Sequence, residues 1–482
     1  MKLSKRITAL IIMAAMLLVS CGGEPSDTKT TSTSDIVQDS TTAETEITPE
    51  LPDVTFEGEE FRIMYRYGSH AYNIEDIWVE AQNGEVINDA VYERNLALED
   101  KYKITIVPMP EASPVGKLKT CVLAGDDFCE ILADRKLELF PVTMENYAWN
   151  LNDLEYIDFD KPWWDSNAAE QLSVGDALYM MIGDFNLSAT CGATFLWFNK
   201  KLLTDYGFDM PYELVNEGKW TIDRMLEMVN SVSVDLNGDM KMDANDRYGF
   251  LSQVPYRLLS GFGVQLTSRG NDNYPVLLQP DDRMIRSMEI ITELMNDKEH
   301  TISYAEISKG QDTSAFPHIY AYGRSKFVSD QILFFEGGIS AADELRNMES
   351  PNGIIPMPKL DEEQDRYYNL VDEYATAWVI PSSSAKTEMT DILLEYMAYS
   401  SAPLVDVVYE ITLKNKRMDA PEDAAMLDLI RETTLYEITF IMNVGIREML
   451  ETAVENGNLA SSFASSEASI STQMEKFWSN LQ

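Results

Sequence analysis

Between residues 61 and 133 the chain alternates strand-like and helix-like periodicity, and this alternation limits the fold more than any single motif. Phe61-Arg62-Ile63-Met64-Tyr65-Arg66-Tyr67 reads as a strand with alternating apolar positions. Val86 to Tyr102 follows with Ile87, Val91, Leu98 and Tyr102 at helical spacing, and Ile104-Thr105-Ile106-Val107 then resumes strand character, with Pro108 and Pro110 expected to end it. A helix over 115–124, a Gly125-Asp126-Asp127 turn and the apolar segment Cys129 to Ala133 complete the order βαβαβ. That order predicts an α/β fold with a mainly parallel sheet, whose ligands sit beyond the carboxyl ends of the strands.

At 482 residues and 45% hydrophobic content the chain is long enough for two globular domains. A second region begins near Thr190. Thr194-Phe195-Leu196-Trp197-Phe198-Asn199-Lys200-Lys201 reads as a strand entering a helix, and Thr221 as the N-cap of the next, with Ile222, Met225, Leu226 and Val229 on its apolar face. A helix is expected over 284–297. Arg324 to Ser329 and Gly353 to Pro358 read as extended segments, and 386–400, 421–433 and 438–455 as packed helices, with a further helix from Ser461. No internal repeat is present.

The first residues, MKLSKRITALIIMAAMLLVSCGG, place Lys2, Lys5 and Arg6 before an apolar run that closes on Leu18-Val19-Ser20-Cys21. This pattern resembles a bacterial lipoprotein signal, which makes 1–20 a removed leader and Cys21 the lipidated first residue of the mature chain. Acyl chains would hold the body at the outer face of the cytoplasmic membrane without a spanning helix. Residues 21–55 are rich in Thr, Ser, Asp and Glu and nearly lack large apolar side chains, the composition of a flexible leash. The formal charge of −42 repels phosphate backbones, which disfavours nucleic-acid binding, and no nucleic-acid partner is expected. Cys121, Cys129 and Cys191 give an odd number and no disulfide framework; buried thiols are expected. His occurs only at 70, 300 and 318, and neither an HExxH pair nor a Gly-x-Ser-x-Gly elbow exists.

Five segments carry a resemblance to the family 1 extracellular solute-binding proteins, the capture subunits of carbohydrate-type ABC importers. They are INDAVYERN (87–95), GDDFCEILAD (125–134), LNDLEYIDFDKPWWD (151–165), FNKKLLTDYG (198–207), and EGKWTIDRM with SVDLNGDMKMDANDRYG (217–225 and 233–249). The resemblance implies a two-lobed clamp, each lobe a mainly parallel sheet flanked by helices, joined by crossing strands and closing on solute in the cleft. It implies crossings near 188–193, 322–326 and 378–381. Lobe one is then 56–190 with 325–379, and lobe two is 191–324 with 380–482. The implied partners are a carbohydrate solute, ABC permease subunits and the membrane through the lipid, with the chain acting as a monomer.

Asp235, Asn237, Asp239, Asp243 and Asp246 stand at positions 1, 3, 5, 9 and 12 of a loop in which Lys241 offers a backbone carbonyl at position 7. This is EF-hand-like spacing for structural Ca²⁺, a hard cation that needs six to eight oxygens. Met240 departs from it at position 6, where Gly permits the sharp turn, and Asp246 replaces the usual bidentate Glu. The alternative is a solvated acidic turn.

Sugar recognition needs aromatic faces for C–H surfaces and planar polar groups for hydroxyls. Position along the chain nominates Arg66 and Tyr67 after the first strand, Asp134 and Arg135 after the third, Asp184 and Asn186 before the first crossing, and Gln331 and Phe334 after the return strand. Glu373, Tyr374 and Trp378 are nominated at the third crossing and Tyr256 from lobe two. Arg135 is the strongest, since a fork of donors at a strand end suits vicinal hydroxyls or a carboxylate. Of Trp163 and Trp164, one is expected to pack in the lobe and the other to reach the cleft rim, and Trp220 is expected to pack. No catalytic chemistry is expected. The alternatives are a surface glycan-active enzyme using two carboxylates, a sensor or adhesin subunit, or a peptide binder built on the same clamp.

Overall fold

In the computed structural model, residues 47–67, 75–414 and 421–479 are described. The leader, Cys21 and most of the leash lie outside them. Leu51–Gln482 forms one compact unit, and Met1–Glu50 another, of which only 47–50 are described. No helix among the described residues is long and apolar enough to cross a membrane.

The βαβαβ expectation holds. β1 (Glu60–Arg66), the helix Val86–Tyr102, β2 (Thr105–Glu111), the helix Pro114–Ala124 and β3 (Ile131–Arg135) follow in order, and β1 pairs in parallel with both β2 and β3. Val91, Leu98 and Tyr102 are buried on the face the periodicity assigns inward. Pro108 and Pro110 do not end β2, which runs through both to Glu111. β2 is the edge strand of its sheet, where a missing N–H on the outer side removes no ladder bond.

The remaining strands are β4 (Phe195–Asn199), β5 (Tyr248–Ser252), β6 (Thr267–Arg269), β7 (Pro275–Leu277), β8 (Thr301–Ser303), β9 (Ile332–Gly337), β10 (Asn352–Ile355), β11 (Asn369–Leu370), β12 (Thr376–Val379) and β13 (Thr434–Leu435). Two sheets carry the architecture, in the orders β12-β3-β1-β2 and β10-β4-β9-β5-β8. Both are mixed. β12 runs antiparallel to β3, and β4 antiparallel to β9 and β10. β4 and β9 are buried at every position, as central strands covered on both faces must be. A separate hairpin joins β6 to β7.

Several expectations change. Arg324 to Ser329 is not extended: it belongs to the helix Ile319–Val328, capped by His318 and stabilised where the Ser325 and Ser329 hydroxyls donate to carbonyls one turn back. The returning strand is β9, which with β10 joins the second sheet, so these parts of 325–379 do not join the first. The helix Thr387–Ser400 packs on the first sheet's side, contrary to its placement in lobe two. Its Asp391 accepts the backbone N–H groups of Glu155, Tyr156 and Ile157 at 2.7, 3.0 and 3.0 Å. Trp163 and Trp164 are both buried, and both indoles donate to Glu395, at 3.0 and 2.7 Å. The expected helix 438–455 breaks at Asn443 and Gly445, both with positive φ. Cys121, Cys129 and Cys191 are buried unpaired thiols, and Trp220 packs in the core, as expected.

The chain passes between the two sheets through short extended segments that lie side by side. Thr194 N–H donates to the Leu370 carbonyl at 2.8 Å, Ala193 bridges Val371, and β11 pairs in parallel with β13. Only the first of the expected crossings, near 188–193, falls beside this junction. Tyr322 to Lys326 is helical within the second region, and Trp378 lies within β12 of the first sheet.

Candidate functional site

The carboxyl ends of β1, β2 and β3 form one edge: Arg66 stands opposite Glu111, the β1–β3 pairing ends at Tyr65 and Ala133, and Thr376 of β12 lies opposite Arg135. Beyond this edge are the junction residues 372–375, and from the second sheet's side the helix Pro255–Gly261, which follows β5. Loops after parallel strands place side chains where a ligand can reach them.

Within that space the arrangement is layered. Arg66 Nη2 donates to Asp134 Oδ2 at 3.0 Å and Nη1 to the Ala112 carbonyl at 2.8 Å, so this pair holds the strand ends together. Asp134 is buried and Tyr67 is exposed. The Arg135 guanidinium lies 5.5 Å over the Tyr374 ring, whose residue is 39% exposed. Cation and ring orient one another in this geometry. Glu373, which is buried, accepts from Tyr256 at 3.3 Å and from Arg447 of the helix Ile446–Asn456. Tyr256 packs 4.9 Å from Phe440, and burial followed by the Glu373 charge pushes its hydroxyl well above the ordinary phenol range.

The structure adds residues that sequence position did not nominate. Arg257 Nη2 donates to Asp372 Oδ2 at 2.9 Å. Lys136 is buried, with Nζ 2.8 Å from the Asp372 carbonyl and 4.9 Å over the Tyr436 ring; burial lowers its ammonium to about 8. Lys136, Glu373, Tyr436 and Phe440 line a narrow crevice at the junction. The strand-end rule that selected Arg135 applies equally to its chain neighbour Lys136, and Arg257 adjoins Tyr256, which was nominated only as reaching in from lobe two. Arg447 belongs to a helix that follows no long strand and leaves no such signal.

Other nominated residues lie elsewhere. Asp184 pairs with Arg431 at 2.5 Å, and burial raises its carboxyl to about 6. Asn186 is buried and donates to the Thr376 carbonyl at 2.9 Å, which fixes the start of β12 rather than facing solute. Trp378 is fully buried, 4.3 Å from Phe185 between ring centroids. Phe334 is core, and Gln331 precedes β9 at its amino end, where Nε2 donates to the Asn245 carbonyl at 2.9 Å. Both were expected after the return strand; the displacement of that strand to 332–337 accounts for the difference.

In the 235–246 loop, Met240 adopts the left-handed backbone (φ 65°) that Gly supplies at this position in calcium loops. The donors close on the loop itself. Asp235 accepts from Gly238 and Met240 N–H at 2.7 and 2.8 Å, Asp246 from Leu236 and Asp243 at 3.0 and 2.8 Å, and Asn237 and Asp239 each from the amide two residues on. Asp243 turns to Asn245, and Lys241 Nζ extends from an exposed position. Among the described residues no three or more His, Cys, Asp or Glu side chains converge on a point that could hold a metal ion.

No family model matches the chain, and no curated protein does. Solved structures do. An ABC substrate-binding protein from Listeria monocytogenes in complex with cycloalternan aligns over 87% of this chain and 99% of its own, with 14% identity and a TM-score of 0.54. UspC of M. tuberculosis aligns over 86% and 100%, at 13% identity and a TM-score of 0.53. The GacH receptor of Streptomyces glaucescens, whose structures include an acarbose complex, aligns over 87% and 98%, at 14% identity and a TM-score of 0.51. At these identities the likeness is one of fold.

Proposed function

We propose that this chain, which has the two-lobed fold of ABC-transporter solute-binding proteins, captures a mono- or oligosaccharide between its two sheets and presents it to a permease. The observation that carries the reading is the Arg135 guanidinium 5.5 Å over half-exposed Tyr374 at the carboxyl edge of the first sheet, with exposed Tyr67 following β1 at the same edge and Tyr256 hydrogen-bonded to the neighbouring Glu373. Aromatic faces beside a planar donor fork meet the two demands of a sugar ring. The cycloalternan and acarbose complexes of the fold neighbours agree in ligand class.

Binding without catalysis follows from how the nearby carboxylates are used. Asp134, Asp372 and Glu373 are each held as acceptors by a guanidinium, of Arg66, Arg257 and Arg447 respectively. Each is thereby committed to an ion pair, whereas glycoside hydrolysis needs two carboxyl groups free to face the scissile bond. The junction of 193–194, 369–371 and 434–435 is short enough to serve as a hinge, so that closure couples occupancy to shape. Lipid on Cys21 would keep this clamp at the outer face of the cytoplasmic membrane near its permease. Titration calorimetry against a saccharide panel, with chromatography of the sugars afterwards, tests the reading: saturable binding with unchanged sugar supports it, and cleavage products overturn it. Release of the Cys21→Ser chain from host membranes tests the anchor.

A further inference from the structure

We propose that the solute taken by this cleft carries an oxyanion on a sugar ring, a carboxylate or a sulfate, and that Arg135 receives it; the inference rests on the carbohydrate reading above.

The other arginines around the cleft are matched one to one with acids. Arg66 holds Asp134, Arg257 holds Asp372, and Arg447 holds Glu373. Arg135 stands apart. Among the described residues no carboxylate pairs with it, although the chain carries 80 acids against 38 bases. Its Nε is buried and has no hydrogen-bond partner, while its guanidinium is steadied 5.5 Å over Tyr374. A buried donor without an acceptor is costly, and a ligand oxygen at this corner would satisfy it. The planar fork matches an oxyanion bidentately, which a hydroxyl cannot reproduce.

The electrostatic surroundings favour the same class. Lys136, next in the chain, gives its ammonium to the Asp372 carbonyl, and the carboxylates that act on it are Asp372, Glu373 and Asp165. The acids nearest this corner are already engaged: Asp134 by Arg66 and by the Arg135 amide, and Glu437, in the adjoining crevice, by Thr439. Glu138 acts on Arg66, and Glu111 accepts from the Ala112 amide. The −42 charge of the whole chain does not decide the matter, because a Debye length of about 8 Å at physiological salt screens distant acids and leaves the local set in control.

The test uses the full chain in calorimetry and thermal-shift assays. The probes are oligogalacturonides and oligoglucuronides, the same compounds with each carboxyl reduced to the alcohol, sulfated galacto-oligosaccharides, and neutral maltotriose. At least one acidic probe should bind, with its reduced or unsulfated counterpart weaker by about tenfold or more. Which arm responds separates carboxylate from sulfate. Arg135→Gln should remove that preference, and Arg135→Lys should restore part of it, both folding with wild-type circular dichroism. Tyr374→Leu should weaken acidic probes less than Arg135→Gln does. Neutral sugars binding while no anionic probe does, or acid and reduced forms binding alike in wild type and Arg135→Gln, overturns the assignment and leaves the carbohydrate reading standing. Binding by no saccharide of either kind overturns both.

Discussion

Arg257 grips Asp372 at 2.9 Å with both side chains largely withdrawn from solvent, 7% and 15% exposed. The bond ties the helix that follows β5 of the second sheet to the segment where the chain leaves β11 for the first. Removing one member of a buried pair strands the other charge. Arg257→Ala should therefore cost about 3 kcal/mol in urea unfolding. The Asp372→Asn and Arg257→Gln double variant should lose less than the sum of the single variants.

Buried carboxyls set the pH dependence. Burial lifts Glu336 and Glu395 from 4.5 to about 7, and Asp76 and Asp184 from 3.8 to about 6. Between the unfolded and folded values the folded chain keeps protons that the unfolded chain has released. Stability accordingly falls as pH rises through this window and flattens above about 7. Differential scanning calorimetry should give a higher Tm at about pH 5 than at about pH 8, with Glu395→Gln and Glu336→Gln each reducing the difference. A Tm that rises with pH contradicts the assignment.

Gly338 follows β9 where that strand meets the approach to the junction. A Cβ there would lie 2.3 Å from the Cys191 carbonyl oxygen, and backbone cannot yield as a flexible side chain can. Gly338→Ala is expected to cost about 1–3 kcal/mol by forcing the two backbones apart. Chemical denaturation reads the loss.

How much of this was legible in the chain depends on the range of the signal. The elements from β1 to β3 follow from local periodicity because each is long enough to show a period of 2 or 3.6. The junction strands β11 and β13 span two residues each and show none. The Glu395 contacts with Trp163 and Trp164 join residues more than 230 positions apart, so the Trp pair reads locally as surface or core with no means of choosing. Pro108 misleads for a different reason: an edge strand and a strand end look alike until the neighbours are known. Of the nominated site, Arg135 meets Tyr374 and Glu373 meets Tyr256 because they follow strands or the junction, and Tyr67 is exposed just past β1. Trp378, Phe334 and Asn186, nominated by their place beside the expected crossings and return strand, occupy positions in the core.

The carboxylates of the 235–246 loop accept from amides of the loop itself. Thermal melting with excess EDTA and with added CaCl₂ should therefore agree within error, and calorimetric titration with CaCl₂ should show no saturable heat. A calcium-dependent rise in Tm would contradict this and restore the spacing-based expectation.

Carbohydrate capture by a closing clamp is tested most directly by small-angle X-ray scattering of the full chain with and without a saccharide that calorimetry shows to bind. The account predicts a fall in radius of gyration on binding, with the sugar recovered intact. Binding with an unchanged radius of gyration, or recovery of cleaved sugar, would contradict it.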